Sequence, residues 1–135
     1  MKVLQILSAL FFSLLLIGFS GTTFAQKTDT YNLDETYSIS QNGTIELESD
    51  DAGLVEVTGS DRNDVRLIVT YRLEVQGFTI GKKDQFEMEV TERNGNLFIR
   101  EKPRERGFNL NVGAVNRKYS ITILAPQDAH LNLQG

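Results

Sequence analysis

Four aspartates, Asp50, Asp51, Asp61 and Asp64, fall in two successive turn segments, SDDAG and GSDRND. Two turns held side by side would bring several carboxylates together, and Ca2+ takes six to eight oxygen ligands. Neither segment has ligands at the alternating positions of a calcium loop, and Asp is itself a favoured turn residue. The four make a weak calcium candidate, and no cofactor is expected. The one histidine, His130, follows a Pro-Gln-Asp-Ala corner. General-base work would require a nucleophile and an orienting acid around it, and the chain has no G-x-S-x-G elbow. A solvated or hydrogen-bonded turn histidine is the expectation.

Glu46/Glu48 and Glu87/Glu89 are paired carboxylates of the type a glycosidase uses, which must stand about 5–9 Å apart with one protonated. Their i, i+2 spacing on a strand instead lines one face and reads as a solvated surface. VGAVNRK does not complete a phosphate-binding loop. There is no cysteine, so thiol catalysis, thiolate metal sites and a lipid-anchoring cysteine are excluded. The residue types argue against an enzyme.

The elements that carry these residues follow a leader. MKVLQILSALFFSLLLIGFSGTTFAQ has Lys2, then an apolar stretch, then the small-residue site Thr23-Phe24-Ala25. That order is a signal peptide, with cleavage expected between Ala25 and Gln26. The expected location is therefore exported: periplasm, outer surface or secreted. Loss of Lys2 leaves 13 cations against 18 anions, a net charge of −5. Such a chain has no general attraction to nucleic acid, and no stable membrane insertion is expected after cleavage. Residues 26–35 are polar and read as a flexible N-terminal arm, and residues 36–135 as one domain.

Period-two alternation recurs through that domain, with no sustained helical spacing. TIELES sets Ile45 and Leu47 against Glu46 and Glu48. LVEVTG does the same with Val55 and Val57. DVRLIVTYRLEV carries Val65, Leu67, Val69, Tyr71, Leu73 and Val75 on one face. QFEMEV, NLFIRE and YSITIL continue the pattern. QNGT and RNGN contain Asn-Gly, the strongest short hairpin signal. QGFTIGKKD reads as a loop with two glycines. The expected class is all-β, with short antiparallel or stacked strands in a β-solenoid-like arrangement, or alternatively a β-sandwich.

Residues 103–118, PRERGFNLNVGAVNRK, read as an insertion. Within it Phe108, Leu110 and Val112 alternate with asparagines, forming a short strand packed on the domain or a possible contact tip flanked by Arg104, Arg106, Arg117 and Lys118. Asn42-Gly43-Thr44 has the form of a glycosylation sequon, but the turn requires the same residues.

The segment YSITILAPQDAHLNLQG resembles a recurring piece of a bacterial adhesin family of exported β-solenoid domains, auto-transporter adhesin head-like and of unknown function. Ile121, Ile123, Pro126, Asp128, Ala129, Leu131, Leu133 and Gly135 fall on its pattern of strand, Pro corner, strand and Gly. GTIELESDDAGLVEVTGSDRNDVRLIV is similar to the opening coil, through Gly43, Gly53, Gly59, Asp61 and Val65. The resemblance runs from about Tyr37 to Gly135 and implies the front portion of such a domain. It implies contact with envelope polysaccharide or protein, or self-association through the C-terminal strand edge, and brings no catalytic residues. The alternative expectation, drawn from Phe78, Phe86, Phe98 and Phe108, is a small periplasmic carrier of an apolar ligand.

Overall fold

A computed structural model describes residues 26–81, 85–103 and 109–135. Every regular element among them is a strand: β1 (Gln26–Ser38), β2 (Thr44–Glu48), β3 (Leu54–Ser60), β4 (Asp64–Gly81), β5 (Met88–Arg93), β6 (Asn96–Glu101), β7 (Asn109–Pro126) and β8 (His130–Gln134). Ala25 and Phe108 lie outside the described residues, so the cleavage junction is described only from Gln26 onward.

The strands form two open four-stranded sheets, ordered β1-β4-β7-β3 and β5-β6-β2-β8. Both are mixed. In the first, β4 runs antiparallel to β1 and β7, and β3 runs parallel to β7. In the second, β5 is antiparallel to β6, while β2 is parallel to β6 and to β8. The chain crosses from sheet to sheet at β1–β2, β2–β3, β4–β5, β6–β7 and β7–β8, so the partners of each parallel pair are separated in the chain by strands of the other sheet.

The inward residues of both sheets meet in one apolar core. Val69, Ile121 and Ile123 from the first sheet and Ile45, Leu97 and Ile99 from the second are at most 1% exposed. Burying a side chain of this size contributes about 1.5–3 kcal/mol.

Several segments depart from the sequence expectation. Residues 26–35 are not a loose arm: they form most of β1, paired with β4 from Gln26↔Gln76 to Ser38↔Asp64. Tyr31, Leu33 and Tyr37 alternate along it and pack on the core, a pattern its many polar neighbours obscure. QGFTIGKKD is not a loop up to Gly81, since β4 continues through it. Nor are residues 109–118 an insertion, because they are the first half of β7. The 18-residue strands β4 and β7 are long rather than short; at about 3.3 Å per residue each extends nearly 60 Å. The second sheet has strands of five or six residues, so the first sheet outruns it.

The two Asn-Gly dipeptides also differ. Asn94 (φ 53°) and Gly95 (φ 77°) join β5 to β6 as a two-residue hairpin, the type I′ pattern of two positive φ values. Asn42-Gly43 instead turns the corner from β1 in one sheet to β2 in the other, with Gly43 N–H bonded to Ser40 O at 2.8 Å. These corners stack. Ser40 N–H donates to Gly95 O and His130 N–H to Gly43 O, both at 2.9 Å, so β6, β2 and β8 start in line.

Candidate functional site

The acidic corners do not converge. Asp51 faces Arg117 of β7 at 3.4 Å, and Asp64 is bonded to Arg62 at 2.7 Å. Asp50 and Asp61 are exposed. Among the described residues no group of three or more His, Cys, Asp or Glu is placed to hold a metal ion. The turns point their carboxylates toward separate cations and solvent, so the calcium candidate is not assembled.

Glu46, Glu48 and Glu89 lie on the outer face of the second sheet, and Glu87 lies just before β5. Glu89 accepts both Nε and Nη2 of Arg100 at 2.8–2.9 Å. Glu87 accepts Lys102 Nζ at 2.9 Å, and that contact raises the Lys102 pKa. Glu46 and Glu48 share a shallow groove of about 260 Å3 with Phe98 and Arg100. Each acid of the second pair has a cation beside it, the arrangement of a charged surface. His130 uses its backbone N–H in the corner stack and leaves its side chain exposed.

An aromatic cluster that the alternation does not announce closes one end of the core. Phe86 stacks on Tyr71 with ring centres 4.2 Å apart and an interplanar angle of 4°, and meets Tyr31 and Tyr119 edge-on at 5.3 and 4.9 Å. Tyr119 Oη lies 3.5 Å from the Met88 sulfur and 3.2 Å from Ser49 Oγ, which donates to Glu101 at 2.7 Å. The four rings come from β1, β4, β7 and the segment before β5, so only the tertiary pairing brings them together. Phe78 lies far along β4, and Phe98 on the outer face of the second sheet. The described phenylalanines therefore do not line one cavity.

No family model matches the chain, and no curated protein or solved structure is significantly similar to it.

Two apolar surfaces stand out in the geometry. The first is at the outer strands. In the second sheet, Leu131 and Leu133 of β8 stand beside Ile45 and Leu47 of β2 in register. In the first, Val55 and Val57 of β3 stand beside Ile121 and Ile123 of β7. The inner members are buried, whereas Leu131 and Leu133 are 42% and 52% exposed. Gly53 N–H bonds to Tyr119 O, and Ser49 N–H to Gln134 O, which fix both outer strands at their ends. The second surface is the far end of the β4–β7 ladder, which contains Leu110 and Val112 of the expected contact tip. Both are exposed, and they pair with Ile80 and Phe78. Runs of alternating residues signalled both surfaces, but alternation does not reveal which strands end up outermost.

Proposed function

We propose that this protein is a non-enzymatic, exported module of the cell envelope that works by contact, its outer strands β3 and β8 taking up the strands of a second copy. The supporting observation is that the core rows do not stop where the core does. They continue in register from buried Ile45, Leu47, Ile121 and Ile123 to half-exposed Leu131, Leu133, Val55 and Val57. Beside them the outer backbone of β3 and β8 has no neighbouring strand among the described residues. An edge of this kind is a ready template for strand addition. The parallel β6-β2-β8 ladder and the crossings between sheets are also the elements of a stacked, solenoid-like domain. On this reading the next layer comes from another chain.

The test is sedimentation velocity over a wide range of protein concentration, with Leu131→Asp/Leu133→Asp as the variant. The expected result is concentration-dependent dimerisation that the variant loses while keeping its β-sheet circular dichroism. A wild-type protein that stays monomeric at its highest soluble concentration refutes this mode of contact.

A further inference from the structure

The outer face of the second sheet carries two rows of side chains at fixed spacing. Thr91, Phe98, Glu46 and Asn132 stand in register across β5, β6, β2 and β8, and Glu89, Arg100, Glu48 and Gln134 form the next row. Neighbouring strands lie about 4.8 Å apart, so each row spans about 14 Å. Between the rows Leu47 and Ile99 turn inward and are buried in the core, which anchors the face from below.

Phe98 is the one aromatic residue in these rows and is half-buried. The ring contacts of the core, among Tyr31, Tyr71, Phe86 and Tyr119, do not include it. Around it a groove of about 260 Å3 is lined by Glu46, Glu48, Glu89, Thr91, Arg93 and Arg100. Glu89 accepts Nε and Nη2 of Arg100, which fixes the plane of that guanidinium before any ligand arrives.

The charges of the groove select its occupant. Three carboxylates stand against two guanidiniums, an excess of one negative charge that opposes an anionic polymer. Arg93 and Arg100 in turn oppose a cationic peptide. Covering five charged groups with a wholly apolar ligand would leave them unpaired, which is costly. Among the described residues no three acids are placed to hold a metal ion. A neutral sugar meets every condition. The C–H face of a pyranose is apolar and lies flat on an aromatic ring. Its adjacent hydroxyls both donate and accept, and they match the two-pronged carboxylate and guanidinium groups. The exposed amides of Asn132 and Gln134 carry the same chemistry to the end of each row.

We infer that this face binds a neutral oligosaccharide, with Phe98 stacking on one pyranose ring and Glu46, Glu48, Arg93 and Arg100 bonding the hydroxyls. The site lies on the face of the sheet, so it does not depend on strand uptake at the edges of β3 and β8.

The experiment is native affinity electrophoresis in gels cast with dextran, galactomannan or hydroxyethylcellulose, with alginate as the anionic comparison. It uses the chain from Gln26 onward, which contains the whole described core. At least one of the three neutral polymers should retard the wild type, and alginate should not. Phe98→Leu, which keeps an apolar side chain but removes the ring, should weaken binding about fivefold. Arg93→Ala/Glu48→Ala, at two exposed positions, should weaken it as well, whereas Phe78→Ala, far along β4, should not. Circular dichroism of each variant should match the wild type. Failure of all three neutral polymers to retard the wild type overturns the inference. Retardation by alginate alone overturns it too, as does wild-type affinity in Phe98→Leu or in the double variant.

Discussion

Replacing Gly43 with alanine would place a methyl carbon 2.5 Å from Gly95 O, 2.6 Å from Ile39 Cγ1 and 2.9 Å from Ser40 O. Gly43 does not have a positive φ, so a side chain there meets no backbone strain of its own. The cost is steric and falls on the stacked corners that align β6, β2 and β8. Two of the three neighbours are backbone oxygens that cannot rotate away. Forcing a methyl group into a filled site costs about 1–3 kcal/mol, and the loss of unfolded-state freedom returns about 0.4–1 kcal/mol. The expected net loss is on the order of 1–2 kcal/mol. Gly59 supplies the control, because its added carbon would find only Gln127 Cγ at 3.5 Å and Cα at 3.7 Å, ordinary contacts. Gly59→Ala should therefore be neutral or slightly stabilising.

Urea titration followed by far-ultraviolet circular dichroism separates the two variants. Small proteins lose about 1–3 kcal/mol per molar urea, so the Gly43→Ala midpoint should fall by roughly 1 M while the Gly59→Ala midpoint stays within a few tenths. Coincident midpoints would mean that the corners do not bear on each other as the structure shows, and the stacking argument would fail.

Other expectations follow from the same contacts. Ile121→Ala, in a fully buried site, should cost about 2–5 kcal/mol in the same titration, whereas Leu133→Ala, half-exposed, should cost far less. The guanidinium of Arg66 donates two hydrogen bonds of 2.8 Å to Asp34, holding its carboxyl below the ordinary range. Its stabilisation is present above the unfolded carboxylate pKa and lost as pH falls through the lowered folded value; Asp34→Asn should flatten the acid limb of a stability–pH curve. Burial, and then the hydrogen bond to Glu35, push the Tyr37 phenol well above 10. Stability from that group is complete below about pH 10 and declines as pH rises further, so Tyr37→Phe should remove a tyrosinate absorbance phase that appears only well above pH 10.

The alternation around Val65–Val75, Leu97–Ile99 and Tyr119–Ile123 was legible because one face of each run is the core, and period two is the only way a strand can deliver that. The pairing was not. A row such as Ile45–Leu47 looks the same whether its neighbour runs parallel or antiparallel, and the crossings that decide direction are set by which sheet each strand joins. β1 was hidden because Tyr31, Leu33 and Tyr37 supply enough apolar surface for an outer strand while their neighbours keep the composition polar. Glycines misled in both directions: Gly77 read as a loop residue but sits within a ladder opposite Gly113, and Asn42-Gly43 read as a hairpin but turns a corner between sheets. The acidic residues promised chemistry by type alone, and the fold placed Asp51, Asp64, Glu87 and Glu89 beside cations.

Both exposed apolar surfaces arise where a pattern outlasts the layer that would cover it. At β3 and β8 the core rows extend one strand further than the core. At the far end of the β4–β7 ladder, strands of 18 residues run beyond a sheet whose strands have six at most. Neither is needed for burial, since the core is already closed over Ile45, Leu97, Ile121 and Ile123. Apolar residues kept exposed at a folding cost are better explained by binding than by packing. An edge of this kind selects strands in register, and exchanging Leu131 and Leu133 alters it without entering the buried rows beside it.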